Sequence, residues 1–329
     1  MPPSTQKRVS NSTGYPYISP WLMFPKDNTY NFVDPVHDNE AYRVSFCESV
    51  QGATTHYQKD GWLLMSKKRK VFFCNPFTRE IIRLPDLPDG YNISIICFEF
   101  SPITPGCMVF AVDQFAPMEL GILIIMRSGD IWLPIDFPYT NVKKLMPLHG
   151  TAPILYKNGF YCVYCDGTLG VYDTMKNGGW SVLEKPKKIF KNDMHPNLLV
   201  ECGGDLLLVK LGHLGAAVRI FRLDFSVMEW VKVETLGKYM LFISETSCLS
   251  SIAPNSRMEY MMCFPRVYLN GEGILLYSLE TGSYHSSSSA ENSLNIFYET
   301  EGWLSNCTWI QPNWSKCTQQ ELDWLKIIE

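Results

Sequence analysis

The stretch from Asp60 to Pro85 restricts the possible folds more than any other part of the chain. It reads Asp-Gly-Trp-Leu-Leu-Met-Ser, then Lys-Lys-Arg-Lys, then Val-Phe-Phe-Cys-Asn-Pro-Phe-Thr-Arg-Glu-Ile-Ile-Arg-Leu-Pro. Asp60-Gly61 is a turn pair, and Asn75-Pro76 puts Asn at the first turn position and Pro, with its preset φ, at the second. Between these turns, Trp62 to Met65, Val71 to Cys74 and Ile81 to Leu84 have strand length. The first two runs are almost unbroken apolar residues, so a sheet built from them is covered on both faces. A three-stranded meander packed between two neighbours is what one blade of a β-propeller requires.

Such a unit implies copies of itself. Aligned on the residue after the second turn, Tyr42, Ile82, Trp132, Trp180, Trp230 and Tyr284 recur at separations of 40, 50, 48, 50 and 54 residues. The preceding turns recur as well, at Asp34-Pro35, Asn75-Pro76, Arg127 to Asp130, Asp173 to Gly179, Asp224 to Ser226 and Glu280 to Gly282. A glycine opens an inner strand at Gly61, Gly159 and Gly204. These marks predict an all-β, kelch-like fold with a single β-propeller of about six blades, and they assign Trp132, Trp180 and Trp230 to core wedges rather than to a ligand-stacking set.

In chain order, residues 1–14 form a polar tail expected to be disordered, 15–312 the propeller and 313–329 a linker and short helix. The first blade takes Trp21 to Phe24, Tyr30 to Val33 and Tyr42 to Phe46. The third takes four strands between Ile93 and Ile135, and the fourth runs from Ile154 to Leu183 with Asn158-Gly159 as a hairpin turn. The fifth runs from Leu198 to Val233, and the sixth uses Met240 to Ile243, Met258 to Phe264, Gly273 to Ser278 and Tyr284. A late apolar segment, Asn295 to Tyr298 or Cys307 to Ile310, is available to pair with the N-terminal strands and close the ring. Thr318-Gln-Gln-Glu321 is a capping box that predicts a short amphipathic helix through Ile328.

The side chains do not announce an enzyme. Cys162-Val-Tyr-Cys165 has half the spacing of a zinc site, but no second pair completes it, and in a strand the two thiols point to opposite faces. The histidines are scattered, and no nucleophile-elbow, P-loop, dinucleotide-binding or zinc-protease motif occurs. No catalytic, metal or cofactor residue is therefore assigned, and no cofactor is expected. Lys67-Lys-Arg-Lys70 reads first as a solvated hairpin tip, although such a run also serves as a nuclear signal or contacts phosphate. A net charge of −4 argues against a dedicated nucleic-acid binder. No apolar run has the length of a membrane span, and the first ten residues lack the apolar centre of a secretory signal. The expectation is an intracellular protein of cytoplasm or nucleus, with its eleven cysteines as free thiols and no membrane partner. The Asn-x-Ser/Thr patterns, Asn306-Cys-Thr among them, are not expected to be glycosylated in that setting.

Pro20-Trp-Leu-Met23, Asp60-Gly-Trp-Leu-Leu-Met65, Asn75-Pro-Phe-Thr78, Trp230-x5-Leu236-Gly237 and Phe242-x4-Ser247-Cys-x-Ser250 together resemble the plant F-box-associated β-propeller family of F-box/kelch-repeat proteins. The similarity covers nearly all of residues 15–312. It implies a module that recognises a target protein, joined in family members to an F-box that docks on a Skp adaptor of a cullin ubiquitin ligase. Only 14 residues precede Tyr15 here, and they carry no F-box pattern, so ligase subunits are expected as partners only if that docking is replaced. The target protein itself is not readable. Two alternatives stand beside this reading: a propeller enzyme or carbohydrate-binding protein with a site in the central channel, and a competitor without an F-box that shields a ligase substrate. Asp113 to Glu119, Lys185 to Asn197 and Ser283 to Asn292 are the candidate recognition loops.

Overall fold

The computed structural model describes residues 19–329 except 27–28, 38, 47, 49, 92, 117–118, 136–150, 165, 175–178, 184–196, 213–214, 216, 268–272, 288–305, 313–325 and 328–329. The described residues form six sheets and no helix, arranged as a six-bladed propeller. Strands are lettered A to D from the channel outward, which in blades 2 to 5 is also chain order.

Blade 2 consists of Thr54–Lys59, Trp62–Lys67, Lys70–Cys74 and Ile81–Arg83. Blade 3 is Ile93–Phe98, Met108–Ala116, Glu119–Met126 and Leu133–Ile135, and blade 4 is Ile154–Tyr156, Gly159–Val163, Leu169–Asp173 and Gly179–Leu183. Blade 5 is Asn197–Cys202, Asp205–Leu211, Val218–Asp224 and Glu229–Val233. Every neighbouring pair in these blades is antiparallel. The B–C turns and the D–A connections therefore leave from one face of the ring, called here the upper face. The A–B and C–D turns lie on the lower face.

Blade 1 joins the two ends of the described chain. Its A strand is Thr308–Ile310, paired antiparallel with Trp21–Lys26, and Thr29–Asp34 and Glu40–Val44 follow outward. Of the two segments offered by the sequence, the one from Cys307 to Ile310 closes the ring, while Asn295 to Tyr298 lies outside the described residues. Closure from the far end of the sequence gives blade 1 its inner strand and removes the open edge that Trp21–Lys26 would otherwise present. Lys326–Ile327 add a further short strand outside Glu40–Val44. This corrects the end of the expected C-terminal helix: these two residues are extended, because pairing with Arg43 and Tyr42 satisfies their backbone. Residues 318–325 of that helix lie outside the described residues, as does the 1–14 tail.

Blade 6 departs from the plain meander. Cys248–Ile252 is innermost, Tyr239–Ile243 lies between it and Met261–Val267, and Ile274–Ser278 and Ser283–Ser286 complete the sheet. Tyr239–Ile243 runs parallel to Met261–Val267, the one parallel pairing among the described strands. Two inner strands, Thr54–Lys59 and Cys248–Ile252, were not expected as strands. The hairpin expected at Asn158-Gly159 is shifted by one residue, since Tyr156 pairs with Gly159 and the turn residues with positive φ are Lys157 (48°) and Asn158 (81°).

The core lies between blades. Phe73, Phe98, Phe110 and Phe160 are fully buried in a cluster running through blades 2, 3 and 4. Phe110 stacks on Phe160 at 5.4 Å between centroids, and Phe98 meets Phe73 edge-on at 5.1 Å. This is the covering on both faces that the unbroken apolar strands demand.

Candidate functional site

The repeated residues locate the site by elimination, because most of them are committed to holding the ring. Tyr42, Ile82, Trp132, Trp180 and Trp230 fall on the D position of their blades, within the D strand or, for Trp132, one residue before it, and Tyr284 falls on the outermost of blade 6's five strands. Three of them act on the preceding blade in the same way. Trp132 Nε1 donates to Pro85 O at 2.9 Å, Trp230 Nε1 to Gly167 O at 3.3 Å and Tyr284 OH to Gly215 O at 2.7 Å. Each is an apolar wedge whose polar tip caps a loop carbonyl of its neighbour. Trp180 is a wedge of another kind: it stacks at 9° on Phe110 of blade 3 and covers Gly170, where an added Cβ would lie 2.1 Å from the indole.

The turn marks are local fasteners. Asp60 (φ 52°) and Gly61 (φ 80°) form the tight A–B turn of blade 2, with Trp62 buried directly after it. Asn75 Oδ1 accepts from the backbone N–H groups of Phe77 and Thr78, and Pro76 fills the second position of that turn. Asp224 Oδ1 accepts from Ser226 N and Oγ, bonds that hold its carboxyl below the usual range. Asp34 does the same in blade 1 for Val36 and His37 and also accepts from Trp21 Nε1 at 3.0 Å. Gly204 (φ 89°) donates its N–H to Glu201 Oε1 and accepts from Tyr156 OH across the blade 4 to 5 boundary, while Asp173 pairs with Gly159 in strand register.

The features the sequence left open for chemistry do not converge. Cys162 is a buried free thiol with its pKa pushed up by burial, and Cys165 lies outside the described residues. His37 bonds Asp34, His56 bonds Ser66 Oγ at 2.7 Å and His285 bonds Ser283 Oγ; His149, His195 and His213 lie outside the described residues. Among the described residues no three His, Cys, Asp or Glu side chains are grouped as a metal would need, and no helix is long and apolar enough to cross a membrane. Asn306 is a fastener too, with Oδ1 accepting from Thr55 N and Nδ2 donating to Ala53 O, both at 2.7 Å.

Three surfaces remain. The channel holds a cleft of about 510 Å³ lined by inner-strand residues, including Gln58, Lys59, Asp60, Glu201, Ser250 and Gln311. Lys59 donates to Glu99 O, and Gln58 Oε1, buried at 5% exposure, has no hydrogen-bond partner among the described residues. On the lower face, blade 3 carries an exposed apolar group of Phe100, Ile103, Met126, Ile131 and Leu133. On the upper face, a groove of about 710 Å³ runs along the rim between blades 1 and 2, bordered by Lys67 to Lys70, Glu48, Arg83 and Asp86.

The candidate recognition loops attach to that same upper face. Of Asp113 to Glu119, Asp113 to Ala116 and Glu119 are strand rather than loop, paired across the B–C hairpin of blade 3, and residues 184–196 connect strand D of blade 4 to strand A of blade 5. Within Ser283 to Asn292, residues Ser283–Ser286 are the outermost strand of blade 6 rather than loop, because they pair with Leu275 to Ser278. Ser287 follows, its N–H donating to Ile274 O, and 288–292 lie outside the described residues.

Comparison with known proteins agrees with this architecture. A sequence family described as the KIB1-4 beta-propeller matches residues 29–269, more than half of the chain. F-box/kelch-repeat protein At1g57790 of Arabidopsis thaliana is 29% identical over 278 residues, covering 81% of this chain and 76% of its own length. F-box protein At1g49360 of the same plant is 26% identical over 315 residues, covering 89% and 63%. F-box protein At3g56470, also from Arabidopsis, is 28% identical over 240 residues, covering 70% and 62%. The chain thus spans less than two thirds of the length of the second and third of these relatives.

Proposed function

Because the chain belongs to the KIB1-4 β-propeller family and is related to F-box/kelch-repeat proteins, we propose that it is a protein-recognition module, of the kind that selects a target for a Skp and cullin ubiquitin ligase. One observation carries this reading: the repeated aromatic and turn residues act mainly as fasteners between or within blades, which leaves the connections on the upper face to differ freely. A rigid ring presenting dissimilar loops on one broad face suits recognition of another protein's surface. The reading assigns no catalytic step and no cofactor, and it places the protein in the cytoplasm or nucleus.

Affinity purification of the tagged chain from plant tissue, with mass spectrometry, tests it. A stoichiometric protein partner is expected. Co-purifying Skp and cullin subunits would make the chain a ligase receptor, and a partner without them would favour a shielding competitor. Absence of any partner, together with turnover of a small molecule by the purified protein, would overturn the reading.

The unpartnered Gln58 Oε1 favours a second reading, in which the channel binds a small polar molecule such as a sugar. Saturable binding of a sugar that is lost in Gln58→Leu, in a protein still able to fold, would move that reading to the front.

A further inference from the structure

The groove between blades 1 and 2 has a composition that the rest of the protein does not prepare for. In blade 2, Lys67 pairs with Lys70 across the hairpin, and Phe72 pairs with Arg83 across the next strand pair. Side chains alternate across a sheet, so Lys70 and Phe72 share one face, and Ile81 and Arg83 extend that face to the rim. It is the face turned to blade 1, since Phe72 packs in the same cluster as Phe32, Val44 and Phe46, with Ile81 at its edge. An apolar floor of Phe72 and Ile81 is thereby rimmed with cations.

The cations divide by duty. Lys67 Nζ donates to Gln51 O at 2.9 Å and to Glu48 O at 3.1 Å, and Arg69 Nε donates to Leu87 O at 2.7 Å while its guanidinium pairs with Asp89. These two pin the hairpin to the connections on either side of it and so fix the walls. Lys68, Lys70 and Arg83 make no side-chain hydrogen bond or ion pair with a described residue, and all three are exposed. Lys68 also holds a φ of 58°, a left-handed conformation in which glycine or asparagine is the ordinary choice. Among the described lining residues, five cations face two carboxylates, Glu48 and Asp86, in a chain whose net charge is −4. The lining of this groove therefore carries a positive excess in a chain that is acidic as a whole.

We propose that this groove docks an acidic segment of a partner protein, an extended peptide rich in Asp and Glu that places one apolar side chain on the Phe72 and Ile81 floor. The inference rests on the protein-recognition reading above and names the chemistry of the partner. The apolar floor favours a peptide over a nucleic acid, because no exposed aromatic face offers itself for base stacking.

The test uses the full chain and a short fluorescent Asp/Glu-rich peptide with one central Leu, followed by anisotropy at low and at physiological salt. Saturable binding that weakens with salt is expected, with a loss of about tenfold or more in K68E/K70E/R83E, whose substitutions are all at exposed positions. Replacing the central Leu of the peptide by Gly should weaken binding about tenfold as well. An unchanged melting temperature in the variant ensures that the loss is read on a folded protein. Failure of the peptide to bind, or equal binding by wild type and variant, overturns the proposal, and so does equally tight binding of single-stranded oligothymidine. The affinity-purified partner separates the two readings. If wild type and variant retain it equally, the groove inference falls while the recognition function stands; if neither captures any partner and the purified protein turns over a small molecule, the recognition reading itself falls.

Discussion

The boundary between blades 4 and 5 and the seam where blade 1 is completed solve the same problem by different means. At the first, the chain is continuous and the interface is largely apolar: Tyr156, Leu169, Leu199, Leu208, Phe221 and Trp230 are buried together. Two hydrogen bonds finish it, Tyr156 OH to Gly204 O and Trp230 Nε1 to Gly167 O. At the seam, a three-residue strand from far along the sequence must find its register. There the apolar cluster around Leu22, Phe242 and Trp309 is joined by a polar clamp on each side. Toward blade 6, Ser247 Oγ accepts from Trp309 N at 2.8 Å, Thr246 Oγ1 donates to Cys307 O at 2.7 Å and Trp309 Nε1 donates to Ile243 O at 3.1 Å. Toward blade 2, Asn306 bonds Ala53 and Thr55. Apolar packing is nondirectional and tolerates slippage, whereas buried hydrogen bonds penalise a wrong register by the cost of unmet polar groups. Where covalent continuity is absent, directional bonds set the register instead.

The largest expected effect is at the seam. Trp309→Ala removes a fully buried indole and its bond to Ile243, and a loss of about 3 to 5 kcal/mol in urea unfolding is expected. A loss below about 1 kcal/mol would mean that the closing strand contributes little. Asn306 sits at φ 53°, so Asn306→Gly keeps the backbone conformation while deleting both bonds to blade 2. A loss of about 2 kcal/mol is expected, against nearly none if the clamp is dispensable.

His56, on the blade 2 strand that the clamp holds, sharpens the comparison through pH. Burial lowers its pKa from 6.5 to about 4. The folded state therefore resists protonation that the unfolded chain accepts, so the stability from neutral His56 is complete above pH 6.5 and is lost as pH falls toward 4. Thermal melts across that window should show a decline of about 1 to 2 kcal/mol that is flattened in His56→Gln; parallel profiles would refute the assignment. The smallest effect belongs to the continuous boundary. Trp230→Phe keeps most of the wedge and loses only the Gly167 bond, at a cost of about 1 kcal/mol by denaturant titration. A cost as large as that of Trp309→Ala would erase the distinction between the two regions.

Much of the ring was readable because blades covered on both faces need unbroken apolar strands. Leu198 to Cys202 and Asp205 to Lys210 show this directly, and their observed bounds differ from the reading by one residue. Thr54–Lys59 and Cys248–Ile252 were not legible because their sequences, Thr-Thr-His-Tyr-Gln-Lys and Cys-Leu-Ser-Ser-Ile, carry no apolar run, unlike the equally innermost Asn197–Cys202. Tyr239–Ile243 was legible as a strand, but its neighbours were not: it pairs antiparallel with Cys248–Ile252 and parallel with Met261–Val267, and a parallel pair leaves no tight-turn signal between its members. The basic run Lys67 to Lys70 was plain in the sequence, but the groove was not. Glu48, Arg83 and Asp86 join it only through strand register and the packing of two blades. In the same way, Asn306 looked like a glycosylation pattern and is a clamp, because its partners lie about 250 residues away in the chain.

Native-state hydrogen exchange at the closing strand tests the ring most directly. If the polar clamps make the seam as firm as an uninterrupted boundary, the amides of Thr308 and Trp309 should exchange only through global unfolding, at the same free energy as Leu208 of blade 5. Exchange at the low free energy of a fraying terminus would contradict that, and the propeller would be an open ring with a loosely attached last strand.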